Sequence, residues 1–449
     1  MHSFHQDIVD DDYVNVSEED TRNVIITCKS CSLEHSIQHA GIQQGSTAIR
    51  DDYLNYVSNY IDSISEILRP ISLKIHDNPE LKFEEFIAHE TLTKFLKTRT
   101  GWKVMPSAYG MATAFVAEFD SGRKGSVLTR KDALTGIGHS CGHNLIAICS
   151  VAAALAAASA MTKFFLSGKV ILFGTPGEEG GGGKIKLLDA GAYSEHAVDI
   201  NLISHPGIVP DSALVRTNAY ESFRVEYFGK EAHAAASPWE GINALDGLIT
   251  AYNALSVLRQ QTMPGDIIQG HITDGGSAPN IIHAYAAGVF VVRATSKKRL
   301  VVLREKVARC FEAGAQASGA DLKITPGMAY DDHVPNKVLG GICRTAFNAL
   351  GGEIPTAELD LLWGASQAST DQGNISYAMP SLSLGFKIES EVGPHNPGFA
   401  KAARTREAHD AALKAGKALA VTGLEIMSSK DLLEAAREEF KNILDAGKE

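Results

Sequence analysis

Apolar residues in the first half of the chain follow two alternating patterns, which predict strands and helices in turn. Short segments at 126–130, 169–174 and 199–203 are predicted to be strands, and the apolar run within 169–174 is typical of a buried one. The segments between them, at 145–161 and 184–190, have the length and composition of helices. Strands that alternate with helices predict an α/β fold, with a mostly parallel sheet flanked by helices.

Predicted helices lie on both sides of this region along the chain, and one further strand follows it. The first predicted helix spans 51–69, and its apolar positions recur at the spacing of one helical face: Leu54, Val57, Ile61, Ile64 and Leu68. After residue 330 the α/β pattern resumes, with a strand at 381–386 and helices at 402–424 and 430–444. These segments add to the same predicted sheet and its helical layers.

A different pattern begins near residue 216. A half-buried strand, a helix, two strands, a second helix and a last strand follow one another between 221 and 325. The order β-α-β-β-α-β is that of a ferredoxin-like (split βαβ) module. We therefore predict a polar N-terminal extension (1–50), an α/β domain in two segments (51–215 and 330–449) and an inserted domain (216–329).

Composition narrows the classes of protein that the chain can represent. The formal net charge is −11 over 449 residues, which argues against nucleic-acid binding because no basic surface is available to neutralise phosphates. Six scattered cysteines and an acidic N-terminus without an apolar leader favour a reducing, cytoplasmic location. The longest apolar run, 145–161, is rich in alanine and is expected to form a buried core helix rather than a membrane span.

A Cys-Gly-His turn just before that helix is the first candidate for metal chemistry. Cys141 and His143 offer a thiolate and an imidazole, which are good ligands for a transition metal. The surrounding glycines allow the backbone to bend, so that both side chains can face one point. This triplet alone is weak evidence, and the site needs further ligands and a base.

Further candidates follow other predicted strands. Glu178 and Glu179 are adjacent carboxylates on a glycine-rich turn, so that one can bind metal while the other faces substrate as a general base. His205 follows the next strand, and His395 follows the last one. Open α/β sheets place their sites at the carboxyl ends of strands, which predicts that these residues meet. His233 lies in the inserted domain, and its reach to this site is not given by the sequence.

The motifs together resemble the aminoacylase–carnosinase–carboxypeptidase family of metallopeptidases (peptidase family M20). The resemblance spans about residues 55 to 425. It is carried by Gly-His-Ser-Cys-Gly-His-Asn (138–144), Gly-Thr-Pro-Gly-Glu-Glu-Gly (174–180), Gly-x-x-x-His-Ala (229–234), Ala-Pro-Asn-Ile-Ile (278–282) and Pro-His (394–395). The chain is most similar to the amidohydrolase branch, and segment 369–376 resembles the p-aminobenzoyl-glutamate hydrolase B subunit and the cytosolic β-alanyl-lysine-type dipeptidase.

The resemblance implies a reaction and a role for each residue. It implies hydrolysis of the amide bond of an N-acyl amino acid or dipeptide by water activated by two divalent ions, zinc or manganese. It also implies a homodimer whose inserted domain serves as a lid or for dimerisation. The metal ligands would be Cys141, able to bridge both ions, with His143, Glu179, His205 and His395. Glu178 would be the general base. His233 would steady the oxyanion, and Asn280, Arg293 and Asp371 would bind substrate.

One feature departs from the family pattern, and two alternatives to hydrolysis stay open. Before the Cys-Gly-His turn the branch has an acidic residue and a proline, where this chain has Arg130, Lys131 and Thr135 around a retained Asp132. These cations face away from the metals, serve an anionic substrate or weaken metal binding. The chain could also run the reaction towards amide formation, or it could be a non-catalytic dimeric relative that acts as a binding protein.

Overall fold

The computed structural model describes residues 49–133 and 141–446, with the backbone alone at 128–133. The predicted N-terminal extension lies outside the described residues except for Ile49 and Arg50.

The larger sheet confirms the predicted α/β architecture. Its strands are β1 (Trp102–Pro106), β2 (Phe115–Asp120), β3 (Val127–Ala133), β4 (Lys169–Thr175), β5 (Ile200–Gly207) and β10 (Ser381–Lys387). They lie in the order β1-β2-β4-β3-β5-β10. Strands β4, β3, β5 and β10 are parallel, and β2 is antiparallel to both of its neighbours. The carboxyl ends of the four parallel strands therefore lie at one edge.

Helices cover this sheet and close its core. Their bounds are α1 (Asp51–His76), α2 (Phe86–Lys97), α3 (His143–Lys163), α4 (Glu178–Gly181), α5 (Gly183–Asp189), α6 (Ala192–Glu195), α9 (Lys337–Ala349), α10 (Ala357–Trp363), α11 (Gln372–Ser376), α12 (Pro397–Ala402), α13 (Arg406–Ser428) and α14 (Lys430–Ala446). Helix α3 packs against α1 and α13 on one side and against the sheet on the other. Its alanines keep these packing distances short, because they add little side-chain volume.

Helix α3 is long and apolar enough to cross a membrane by length and composition, and it is the one such helix among the described residues. In the fold, however, 89% of its apolar window is buried against other parts of the chain. The prediction of a buried core helix at 145–161 is therefore confirmed.

A second sheet forms what we call the inserted module, residues 219–330. Its elements are β6 (Ala219–Phe228), α7 (Ala244–Leu258), β7 (Ile267–Asp274), β8 (Tyr285–Ala294), α8 (Lys297–Ser318) and β9 (Asp321–Tyr330). The strands are antiparallel in the order β7-β8-β6-β9, and α7 packs beside α8. This arrangement confirms the predicted ferredoxin-like module. The domain boundaries themselves stay a prediction.

Two sequence predictions of helices need correction, and several helices were not predicted. Helix α1 does not end near 69 but continues through Pro70 to His76, because Ser72 and Ile75 extend its buried face. The helix predicted at 402–424 is α13, which begins later, at Arg406, because the Thr405 hydroxyl accepts a hydrogen bond from the Ala408 N–H, and which ends later, at Ser428. The short helix α12, capped by Asn396, precedes it and was not predicted. Helices α9, α10 and α11 were not predicted.

Candidate metal centre

The five predicted ligands meet at the carboxyl edge of the parallel strands. Cys141 and His143 follow β3 at the start of α3, and Glu179 follows β4. His395 follows β10, whereas His205 lies within the last residues of β5 rather than after it. The strand-end argument from the sequence is therefore confirmed for the position of these residues in the fold.

Local backbone geometry explains the glycine between the first two ligands. Gly142 has φ +71°, and a Cβ there would lie 2.8 Å from Cγ of Pro206. Only glycine adopts this conformation without strain, and only glycine leaves room for the proline. The turn therefore aims Cys141 and His143 at the same point. His395 also has a positive φ, +65°, which is a strained conformation of the kind found at functional sites.

The ligand atoms form two groups of three that share one thiol. Cys141, His143 and His205 make one group, and Cys141, Glu179 and His395 make the other, with the atoms of each group within 4.8 Å of one another. Together the two groups contain the five predicted ligands and no other residue. Sulfur, imidazole nitrogen and carboxylate oxygen are the donors that zinc takes in proteins, so the residues fit two divalent ions.

A third group is made by His143, Glu178 and Glu179. It places the Glu178 carboxylate beside the other two groups without making it a member of either. Glu178 is 9% exposed, whereas the Glu179 side chain is 37% exposed. The two adjacent carboxylates thus have different surroundings, as the proposed division between a base and a ligand requires.

Close contacts surround the shared thiol. The Cys141 thiol donates to Oε1 of Glu179 at 3.0 Å, and its sulfur lies 3.1 Å from Nε2 of His395. Burial and the Glu179 carboxylate together hold the pKa of Cys141 well above its ordinary value. A cation that binds here must therefore displace the thiol proton, so that metal binding releases a proton.

A backbone hydrogen bond orients one imidazole. Nδ1 of His205 lies 2.7 Å from the carbonyl oxygen of Pro206. Because a carbonyl only accepts, Nδ1 carries the proton, and Nε2 presents its lone pair to the metal group. The rings of His143 and His205 meet edge to face, with centroids 5.7 Å apart.

His233 and Asn280 lie side by side in the inserted module. The Ala234 N–H donates to the Asn280 carbonyl oxygen at 3.0 Å, and His233 forms a β-bridge with Ile281. Nδ1 of His233 accepts from the N–H groups of Ala235 and Ala236 at 3.2 and 3.1 Å. The imidazole therefore carries its proton on Nε2, on an exposed side chain, where it can donate to a ligand.

Arg293 connects the inserted module to the rest of the chain. Its Nη1 donates to the Ser369 hydroxyl at 2.9 Å, and its guanidinium lies 4.9 Å from the ring centroid of Tyr220. The guanidinium keeps further donors for a substrate carboxylate, so that the predicted role of Arg293 stays a prediction.

The structure contradicts the prediction that Asp371 binds substrate. Its side chain and that of Lys184 are fully buried, and Oδ1 accepts from the Lys184 ammonium at 2.6 Å. Oδ2 accepts from the Lys184 N–H at 2.9 Å. Both carboxylate oxygens are thus engaged by one lysine behind the Glu178 turn.

The side chains of Arg130 and Lys131 lie outside the described residues, and their role stays open.

Two carboxylates that precede α2 have roles that sequence reasoning missed. Glu80 accepts from the N–H groups of Ile87 and Ala88 at 2.7 and 2.9 Å, which caps α2. Glu85 is fully buried and accepts from the Gly177 N–H beside Glu178. The only signal in the sequence was a cluster of carboxylates before an apolar helix, and that pattern more often marks a solvated helix start.

Comparison with known proteins links this geometry to a family. Residues 219–318 match the peptidase dimerisation domain of M20 peptidases. The human Xaa-Arg dipeptidase is 39% identical over 399 residues, which is 85% of this chain and 90% of that protein. The p-aminobenzoyl-glutamate hydrolase B subunit of Escherichia coli is 25% identical over 87% of this chain and 95% of that protein.

Solved structures share the fold at lower sequence identity. A putative aminohydrolase from methicillin-resistant Staphylococcus aureus superposes with a TM-score of 0.66 at 18% identity, over 83% of this chain and 99% of that one. A Bacillus subtilis protein described as a dinuclear metal-binding peptidase from the M20 family superposes with a TM-score of 0.58 at 17% identity, over 84% and 99% of the two chains.

Proposed function

The chain belongs to the M20 family of metallopeptidases and amidohydrolases, and on that premise we propose that it hydrolyses dipeptides with two divalent cations and Glu178 as general base. The observation that carries this proposal is the pair of ligand groups that share Cys141. A binding protein without activity would have no need to keep the base beside five ligands.

The two groups suggest how the ligands would divide between two ions. One ion would be held by Cys141, His143 and His205, and the other by Cys141, Glu179 and His395. Divalent ions held there would supply Lewis acidity towards an amide carbonyl and would lower the pKa of water. The donor set accommodates zinc, and manganese is the alternative that metal analysis must distinguish.

This chain's own groups carry the proton and orient the substrate. Glu178 takes a proton from the attacking water and gives it to the amine that leaves as the carbon–nitrogen bond breaks. The products are a carboxylate and a free amine. The proton on Nε2 of His233 is available to the oxygen that becomes negative in the tetrahedral intermediate. Asn280, beside His233, and Arg293 would hold the substrate's carboxylate or amide oxygens.

The human relative suggests the substrate class, because over most of this chain it is more similar in sequence than the bacterial relative is. The name of that relative, Xaa-Arg dipeptidase, points to dipeptides that end in arginine. The bacterial relative's name points to an aminobenzoyl-glutamate amide as the second class to test. The two differ in the charge of the residue that follows the cleaved bond, so one panel of substrates separates them.

The inserted module also supports a homodimer. Strand β7 is an edge strand whose side chains are mostly exposed, and α7, which packs on β8 and β6 of the same sheet, exposes Ile249, Tyr252 and Val257. An exposed apolar helix on a sheet whose edge strand has one unpaired side is suited to pairing with a second copy. Sedimentation analysis tests this, with a mass near 96 kDa expected, twice the 48.0 kDa of the chain.

The function is tested by metal removal and a substrate panel. The chelated protein is reloaded with zinc or manganese and supplied with dipeptides ending in arginine, other dipeptides, N-acyl amino acids and p-aminobenzoyl-glutamate. We expect hydrolysis of Xaa-Arg dipeptides that chelation abolishes and one of the metals restores. Equal activity in the chelated protein, or fewer than one ion bound per chain after reloading, would contradict the proposal.

A further inference from the structure

Buried hydrogen bonds from distant parts of the chain hold the backbone before and after the Glu178 side chain, at the Gly177 N–H and at the Glu178 carbonyl oxygen. Oε1 of Glu85 accepts from the Gly177 N–H at 2.9 Å, while its Oε2 accepts from the Thr113 hydroxyl at 2.8 Å. On the other side, the Tyr330 hydroxyl donates to the Glu178 carbonyl oxygen at 2.8 Å. Glu85 is 0% exposed and Tyr330 is 5% exposed, so water does not replace either bond.

The ring of Phe83 explains why two residues of the Glu178 turn, Gly177 and Gly181, are glycines. A Cβ at Gly177 would lie 2.8 Å from Cζ of Phe83, and a Cβ at Gly181 would lie 2.7 Å from its Cε2. Phe83 itself has φ +64°, an uncommon conformation for an aromatic residue. The turn and the segment before α2 are therefore fitted to each other, because Gly177 and Gly181 leave the space that the Phe83 ring occupies.

Tyr330 brings the inserted module into this arrangement. It is the last residue of β9, and it pairs across the sheet with Tyr220, which in turn pairs with Arg293. The two tyrosine rings lie 5.7 Å apart, and the guanidinium of Arg293 lies over Tyr220. The side chains thus form a row across β8, β6 and β9, made by Arg293, Tyr220 and Tyr330. The hydroxyl of Tyr330, at the end of this row, donates to the carbonyl oxygen of Glu178.

We propose that Glu85 and Tyr330 are positioning residues that fix the carboxylate of Glu178, and that Tyr330 makes this position depend on the inserted module. The inference rests on the proposed role of Glu178 as the base. Neither residue need contact substrate, because each acts on the backbone of the turn. The alternative is that both bonds only stabilise the fold, and the experiment must separate the two roles.

The first test compares two tyrosines that make the same kind of bond. Tyr330→Phe removes the donor to Glu178, and Tyr227→Phe removes a buried hydroxyl that donates to the Phe311 carbonyl oxygen at 2.8 Å, inside the inserted module. With the fastest substrate of the panel and metal-loaded protein, we expect kcat to fall about tenfold to 100-fold in Tyr330→Phe, with KM nearly unchanged. Tyr227→Phe should lose thermal stability to a similar extent but keep its kcat.

The second test compares two carboxylates of one segment. Glu85→Ala frees the Gly177 N–H, whereas Glu85→Gln keeps an acceptor for it and a donor for Thr113. The control Glu80→Ala removes the cap of α2 but no bond to the turn. We expect faster amide hydrogen exchange at Gly177 and a lower kcat in Glu85→Ala, recovery of both in Glu85→Gln, and neither effect in Glu80→Ala.

Combination with Glu178→Gln distinguishes the possible failures. If Glu178 is the base and the other residues act through it, Tyr330→Phe has no further effect on the rate in a Glu178→Gln background. If Glu178→Gln alone remains fully active, the proposed function fails. If Glu178→Gln is inactive while Tyr330→Phe and Glu85→Ala match their controls in kcat, only the positioning inference is overturned.

Discussion

Asp371 and Lys184 form a fully buried ion pair behind the Glu178 turn, and Asp371→Asn tests their role most sharply. The change leaves the Lys184 ammonium buried without a countercharge, while the asparagine oxygen can still accept from the Lys184 N–H. Breaking a buried pair from one side typically costs about 3–5 kcal/mol. This cost is a large part of a total stability of about 5–15 kcal/mol. It raises the unfolding equilibrium constant by at least about 100-fold.

The assay for this prediction is urea unfolding followed by tryptophan fluorescence, alongside KM for the fastest substrate. We expect a lower unfolding midpoint in Asp371→Asn and a nearly unchanged KM in the protein that remains folded. The double variant Lys184→Met with Asp371→Leu should recover much of the loss, because it removes both charges together. An unchanged midpoint with a KM raised tenfold or more would refute the structural role and restore the substrate-binding role predicted from the sequence.

Three further predictions concern the metal ligands, the inserted module and pH. Cys141→Ala removes the ligand common to both groups and should reduce bound metal below one ion per chain by elemental analysis, whereas Cys149→Ala, a buried thiol of α3, should keep two. His233→Ala should lower kcat by about 10²–10³-fold with metal content unchanged, because it removes a donor to the oxyanion and no ligand. Burial lowers the pKa of His409 to about 4 from its ordinary value of about 6.5. Between these two pH values His409 is therefore protonated in the unfolded chain and neutral in the folded chain. Stability is therefore full above about pH 6.5 and falls by about 3 kcal/mol towards pH 4, and His409→Gln should flatten this dependence in unfolding titrations.

The sequence predicted the parts of this molecule that depend on local patterns. Alternating apolar runs located β3, β4, β5 and β10, and the rule for strand ends then brought Cys141 and Glu179 together. The order of elements also predicted the ferredoxin-like module. These predictions succeeded because each one needs only short-range periodicity and one general rule of topology.

Contacts between distant segments could not be predicted from local sequence patterns. Glu85 lies 92 residues from Gly177, and Asp371 lies 187 residues from Lys184, so nothing local shows that either carboxylate is buried. Asp371 was assigned to substrate by resemblance of its segment alone, and that assignment did not fit its surroundings. Tyr330 is one of twelve tyrosines, and its bond to Glu178 depends on how the inserted module meets the turn.

If Glu178 is the base beside two metal ions, Glu178→Gln removes the group that takes the proton from water but removes no metal ligand. Hydrolysis rate and metal content are determined on the same metal-loaded sample, with Glu84→Gln, an exposed carboxylate before α2, as the control. The expected result is two ions per chain in all samples and a rate lowered by about 10³-fold in Glu178→Gln alone, within the range of general base catalysis. Two ions with a wild-type rate in Glu178→Gln would contradict it.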